Sequence, residues 1–138
     1  MNWRSIAQLS LFGMAMGIAT VFLIPSTIEP FFWLAIFLIC AYVIATRAPG
    51  RYFLHGLLVS VVNSLWITGA HILLFDRYIA NHPQEAAMMA SMPLPRSPRL
   101  MMALMGLVIG VASGLVLGLF AIIAGKLVAR RSGPAAVA

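Results

Sequence analysis

Residues 100–125 read LMMALMGLVIGVASGLVLGLFAIIAG, twenty-six positions without one charged side chain. A helix of about 20 apolar residues crosses the roughly 30 Å hydrocarbon core of a bilayer. This stretch therefore predicts a membrane span. Within it glycine recurs at every fourth position: Gly106, Gly110, Gly114 and Gly118. Residues four apart stack along one flank of a helix, so the row makes a shallow, smooth groove. Lipid tails are as apolar as leucine, and helices associate among them by close backbone approach rather than by the hydrophobic effect. Weak Cα–H···O bonds add to that contact, and Ser113 places a hydroxyl beside the groove.

The same pitch recurs toward the N-terminus. Gly13 and Gly17 are four apart, with Ala15 and Ala19 alongside, and Gly56, Ser60, Ser64 and Thr68 form a second small-residue row. Three stretches thus carry a close-packing row of glycine-zipper type. The plainer reading is that these rows hold the chain's own bundle together. The sharper one is that the row at 106–118 is a seam between copies, making a homo-oligomer or docking the chain into a larger membrane complex.

Of the 138 residues, 62% are hydrophobic and only 9% charged, and the mean hydropathy is +1.01. Soluble domains run about 45–50% apolar and about 25% charged. The composition excludes a water-soluble enzyme or binding module and names the lipid bilayer as the surrounding medium. A net charge of +6 in a soluble chain would suggest nucleic acid. Here the bases sit at the ends of apolar runs, so no nucleic-acid partner is expected. Cys40 is the single cysteine and lies within such a run, so an intrachain disulfide is ruled out.

The fold class predicted is all-α: one four-span membrane domain over residues 1–138. The expected spans are about 6–24, 30–46, 52–75 and 100–125, with an outer loop over 76–99 and a basic tail over 126–138. The first span is too long for the ~7–15-residue core of a signal peptide, and Pro25 ends it. Ser26 or Thr27 is placed to cap the second, with Glu29 at the positive end of its dipole and Pro30 in its first turn. That span carries Phe31, Phe32, Trp33 and Phe37, lacks a small-residue row, and is expected to face lipid. Ala48-Pro49-Gly50 forms a turn, and Asp76-Arg77-Tyr78 ends the third span.

In the outer loop, NHPQEAAMMASM (81–92) reads as a short helix lying on the membrane surface. Asn81 or His82 is placed to cap it, with Gln84 or Glu85 three residues on. PLPRSP (93–98) reads as a stiff extended connector, and SGPAAVA (132–138) as a disordered tail. Arg4, Arg47, Arg51, Lys126, Arg130 and Arg131 fall at one end of the four spans, while Arg77, Arg96 and Arg99 fall at the other. The positive-inside rule then places both termini in the cytoplasm of a cell membrane of bacterial inner-membrane type.

Chemistry-bearing residues are few. On the third span Ser60, Asn63, Ser64, Thr68 and His71 share one helical face. Polar groups at such depth face a bundle interior or a cavity, so Asn63, Thr68 and His71 are candidates for a polar track for a solute. Hydrogen bonding between helices is the plainer explanation. His71, Asp76, His82 and Glu85 gather near the outer edge with Glu29, and imidazole with carboxylate suits metals. Met88, Met89 and Met92 beside His82 suit a soft ion such as Cu(I). A thioether-rich helix resting in the acyl boundary explains the same residues. His55 and His71 are sixteen residues apart, about 24 Å along a helix, too far to share a haem. The expected spans hold no acid for proton-coupled transport. No catalytic spacing and no phosphate loop appears, so nothing points to catalysis or to a particular cofactor. The leading expectation is a structural, accessory or assembly protein acting through helix packing. A channel or small-solute permease using the span-3 face is the alternative, and a metal handler or membrane enzyme comes third.

Overall fold

The computed structural model describes residues 1–92 and 97–131. Among them it is all-helical: α1 (Trp3–Phe22), α2 (Glu29–Arg47), α3 (Tyr52–Leu73), α4 (Phe75–Asn81), α5 (Pro83–Ala90) and α6 (Pro98–Arg131). Four of these, α1, α2, α3 and α6, are long and apolar enough to cross a membrane. Two short helices, α4 and α5, lie between the third and fourth. The connector at 93–96 and the tail at 132–138 lie outside the described residues.

Helix ends follow from local chemistry. Asn2 opens α1, its side-chain oxygen accepting from the Ser5 N–H at 3.1 Å. At the other end the Ala19 carbonyl accepts from both Leu23 and Ile24. Pro25 follows, and the residue before a proline is pushed out of the helical region. Neither Ser26 nor Thr27 caps α2. The N-cap position belongs to Ile28, without a side-chain bond, and Pro30 supplies the first turn instead. The turn after α2 holds Gly50 and Arg51 at positive φ, a conformation glycine adopts without a steric penalty.

Two boundaries differ from expectation. Asp76-Arg77-Tyr78 does not end helical structure: α3 stops at Leu73 and the chain re-enters a helix at Phe75. At the far end α6 runs past Gly125 through Lys126 and Arg130 to Arg131, because nothing in KLVAR breaks a helix. The expected cap of the 81–92 helix is also absent. His82 holds the N-cap position of α5 without a side-chain bond, and the Asn81 amide instead donates to Val21 O at 2.7 Å. That bond satisfies one of the carbonyls left over at the end of α1.

The third helix is central. It packs most extensively on α6, then on α1, while α2 packs chiefly on α6. The glycine rows explain how close these approaches are. A Cβ at Gly56 would lie 2.7 Å from Gly118 N and 2.8 Å from Gly118 Cα. One at Gly110 would meet Ser64 Cβ at 2.6 Å, one at Gly114 would meet Leu57 O at 3.1 Å, and one at Gly106 would strike Thr68. Across the other flank, Gly13 meets the Asn63 backbone and Gly17 meets Ile67 Cα at 3.0 Å. All these rows are turned toward neighbours within the same chain.

The second helix is more than a lipid-facing rod. It buries Ile36, Cys40, Ala41, Ile44 and Ala45, and exposes Phe31, Phe32, Leu34, Leu38 and Tyr42. Its packing face includes small residues that are not glycine, Cys40, Ala41 and Ala45, and these lie in the C-terminal half. There a core of Ile6, Leu9, Ile44, Val59, Leu117 and Ala121 closes the bundle. His55 seals this end: only 1% exposed, it accepts from the Asn2 N–H through Nε2 at 2.9 Å and donates from Nδ1 to Arg51 O at 3.0 Å. The N-terminal half of α2 meets this core only through Ile36, Trp33 and Phe37.

Candidate ligand-binding cavity

Where the N-terminal half of α2 stands away from α3, a cavity of about 760 Å³ opens between α2, α3, α5 and α6. The α3 side supplies Ser60, Asn63, Ser64, Thr68 and His71, the face expected from their spacing. Trp33 and Phe37 of α2 and Phe120 of α6 form an apolar wall. Phe37 meets both other rings edge-on, at centroid distances of 6.3 Å from Trp33 and 6.4 Å from Phe120. Six methionines line the end nearest α5.

Most of the α3 polar face is occupied in holding helices together. Ser60 donates to the Ser113 hydroxyl at 3.1 Å, and Ser113 donates on to Ile109 O. Ser64 donates to Gly106 O. His71 Nε2 lies 2.7 Å from Thr20 Oγ1. The Thr20 proton is directed to Met16 O at 2.8 Å, so the imidazole carries its proton on Nε2 and leaves Nδ1 as an acceptor.

Asn63 is different. It is 2% exposed, and its Oδ1 accepts from the Gly13 N–H at 2.7 Å. That bond fixes which end of the amide is oxygen. The Nδ2 end is buried and has no partner among the described residues. An amide NH₂ left unpaired in a low-dielectric interior costs about 1–3 kcal/mol.

A stack of rings closes the same end. Tyr78 lies between His71, at a centroid distance of 4.0 Å, and His82, at 4.4 Å. His82 Nδ1 lies 2.9 Å from Tyr78 O, so that nitrogen carries the proton. Burial pushes the Tyr78 phenol up to about 12, with the Glu85 and Glu29 carboxylates adding to the shift. Glu29 Oε1 also accepts from Trp33 Nε1 at 3.0 Å.

His71, Asp76, His82, Glu85 and Met88, expected to suit a metal, are not all brought together. Among the described residues no three of His, Cys, Asp and Glu are grouped to hold an ion. The Tyr78 ring stands between His71 and His82, which keeps the imidazoles from sharing one. Asp76 is exposed and pairs with Arg99 at 3.9 Å, while Arg99 also sits over the Phe75 ring at 5.0 Å. Glu85, Met88 and His71 do share the cavity.

No protein-family model, curated protein or solved structure matches the chain.

Sequence reasoning missed Tyr78, Trp33, Phe37 and three methionines. A signal for the last was present: MMASM (88–92) and MMALM (101–105) repeat one pattern, MM-x-x-M. All six of these methionines line the cavity.

Proposed function

We propose that this chain is a four-span integral membrane protein that binds a small amphipathic molecule in the cavity, in the manner of a small-solute permease. Both termini lie on the cytoplasmic side, and α5 rests at the outer membrane surface over the cavity's methionine-rich end. Six Lys/Arg at the terminal end against three at the other support that orientation. The observation that carries the reading is Asn63, which lines about 760 Å³ of mainly apolar space and whose buried Nδ2 has no partner among the described residues. Sites for small ligands fall at about 300–1,000 Å³ and combine apolar walls with a few polar groups. A role through a glycine seam to another protein has less support, because the rows face neighbours within the chain.

Triphenylphosphine oxide, a neutral apolar molecule with one strong acceptor, tests the reading. Its binding to the purified chain in phosphatidylcholine nanodiscs is measured by titration calorimetry. The wild type binds it, and Asn63→Leu weakens binding about fivefold to tenfold, one hydrogen bond's worth. Because Asn63→Leu also removes the Gly13 contact, Met105→Trp serves as a second variant. It fills the cavity while leaving every hydrogen bond in place, and abolishes binding. No binding by wild type, or unchanged binding in both variants, overturns the proposal. A C-terminal reporter active only in the cytoplasm tests the orientation.

A further inference from the structure

The charges around the cavity run against those of the whole chain. The chain has nine Lys and Arg and three acids. Among the described lining residues there is no Lys or Arg, while two of the three acids, Glu29 and Glu85, are present. Among the described residues the one ion pair is Arg99–Asp76, so neither lining carboxylate is paired with a described base. Glu29, Glu85 and Tyr78 line the same cavity, and burial with the two carboxylates raises the Tyr78 phenol to about 12. Trp33 donates its indole N–H to Glu29, so the ring and the carboxylate are held in one fixed relation. A cation over an aromatic face is attracted by the ring quadrupole, and an unpaired carboxylate facing apolar space adds to that attraction.

We propose, on the basis of the binding role above, that the cavity selects a lipophilic organic cation, with its charge between Glu29 and Glu85 and its apolar body against the methionines and aromatic rings. Its far end reaches toward Asn63, ten residues below the end of α3 and so about 15 Å along the helix axis. Methionine suits this task because its unbranched, polarisable side chain adapts to varied shapes. Thioethers also suit Cu(I), but a single metal ion needs ligands closed around it. A space of about 760 Å³ is that of an organic molecule.

The test pairs methyltriphenylphosphonium with triphenylphosphine oxide, which share three phenyl rings and differ in charge. Both are titrated into the full chain in phosphatidylcholine nanodiscs. The phosphonium binds at least about tenfold more tightly, the ratio that 1.4 kcal/mol produces. In the Glu29→Gln/Glu85→Gln double variant that preference collapses while oxide affinity is unchanged. Glutamine keeps the acceptor for Trp33, and the oxide titration reports that the cavity is intact. Equal or tighter oxide binding in wild type overturns the charge selection alone, as does a preference that survives in the double variant. Failure of both probes to bind overturns the binding role itself. Stoichiometric Ag(I) binding that excludes the phosphonium overturns the proposal in favour of a soft-metal site.

Discussion

Gly56 offers the sharpest test of the packing. A methyl group there would sit 2.7 Å from Gly118 N and 2.8 Å from both Gly118 Cα and Leu117 C. Non-bonded carbon atoms rest about 3.5–4.0 Å apart, so α3 and α6 would have to separate by roughly 1 Å. Every atom met is backbone, and no rotamer change relieves the clash. Overpacking a tight interface costs about 1–3 kcal/mol. The rigid backbone opposite puts Gly56→Ala at the upper end of that range. Alanine also gains about 1 kcal/mol over glycine in helix propensity, which leaves a net loss of about 2 kcal/mol. Gly69, on the same helix, is the internal control: a Cβ there meets nothing within 4 Å. Gly69→Ala gains the propensity term unopposed and is neutral or stabilised by up to about 1 kcal/mol. Equilibrium unfolding in mixed micelles, titrated with a denaturing detergent, measures both variants against wild type. If Gly56→Ala proves as stable as Gly69→Ala, the backbone-to-backbone account of the α3–α6 contact is wrong.

Thr20→Val strands the proton on His71 Nε2 at a buried site and is expected to cost about 1–3 kcal/mol. Thr20→Ser restores stability in the same unfolding assay. Cys40 is fully buried, so a membrane-permeant maleimide leaves it unlabelled until the chain is denatured, as read by the mass shift. Ready labelling of the folded protein would contradict the packing of α2 on α6. Tyr78 has its phenol raised from 10 to about 12, so the fold favours the protonated form. The stability it contributes is fully present below pH 10 and is lost as pH rises toward 12. Melting temperatures across that range fall in wild type and fall less in Tyr78→Phe.

Periodicity carried the reading of α3 and α6. Ser60, Asn63, Ser64, Thr68 and His71 recur every three or four positions, and a regular helix places them on one face whatever surrounds it. Glycines four apart likewise share a flank before any partner is known. The packing face of α2 was harder to see. Cys40, Ala41 and Ala45 are small but not glycine, and the neighbouring aromatics outweigh them in any hydropathy pattern. Tyr78 was out of reach for another reason. Its stacking on His71 depends on how the chain turns at Leu74 between α3 and α4, which no fixed spacing encodes. The second methionine motif was visible as letters. Inside an apolar span its residues read as ordinary lipid-facing positions, and only the approach of α5 to α6 gives them a shared purpose.

The cavity follows from how unevenly small residues are distributed. Along α3 and α6 they extend the full length of the contact, from Thr68–Gly106 to Tyr52–Gly125, so those helices touch from end to end. On α2 the buried small residues occur only from Cys40 to Ala45, and there the helix closes against α6. Toward its N-terminus the positions that would continue this face are Trp33 and Phe37, which are too large for the same approach. The edge-on contacts from Trp33 through Phe37 to Phe120 prop α2 against α6 and leave the polar side of α3 uncovered. An uncovered hydroxyl or amide within a bundle is costly unless it is paired. Ser60 and Ser64 meet that cost with bonds to α6, and the Asn63 amide meets it only in part. Among the described residues the demand left on α3 falls at Asn63 Nδ2, with His82 Nε2 beyond the end of that helix also unpartnered, and Asn63 lines the region the aromatic residues hold open.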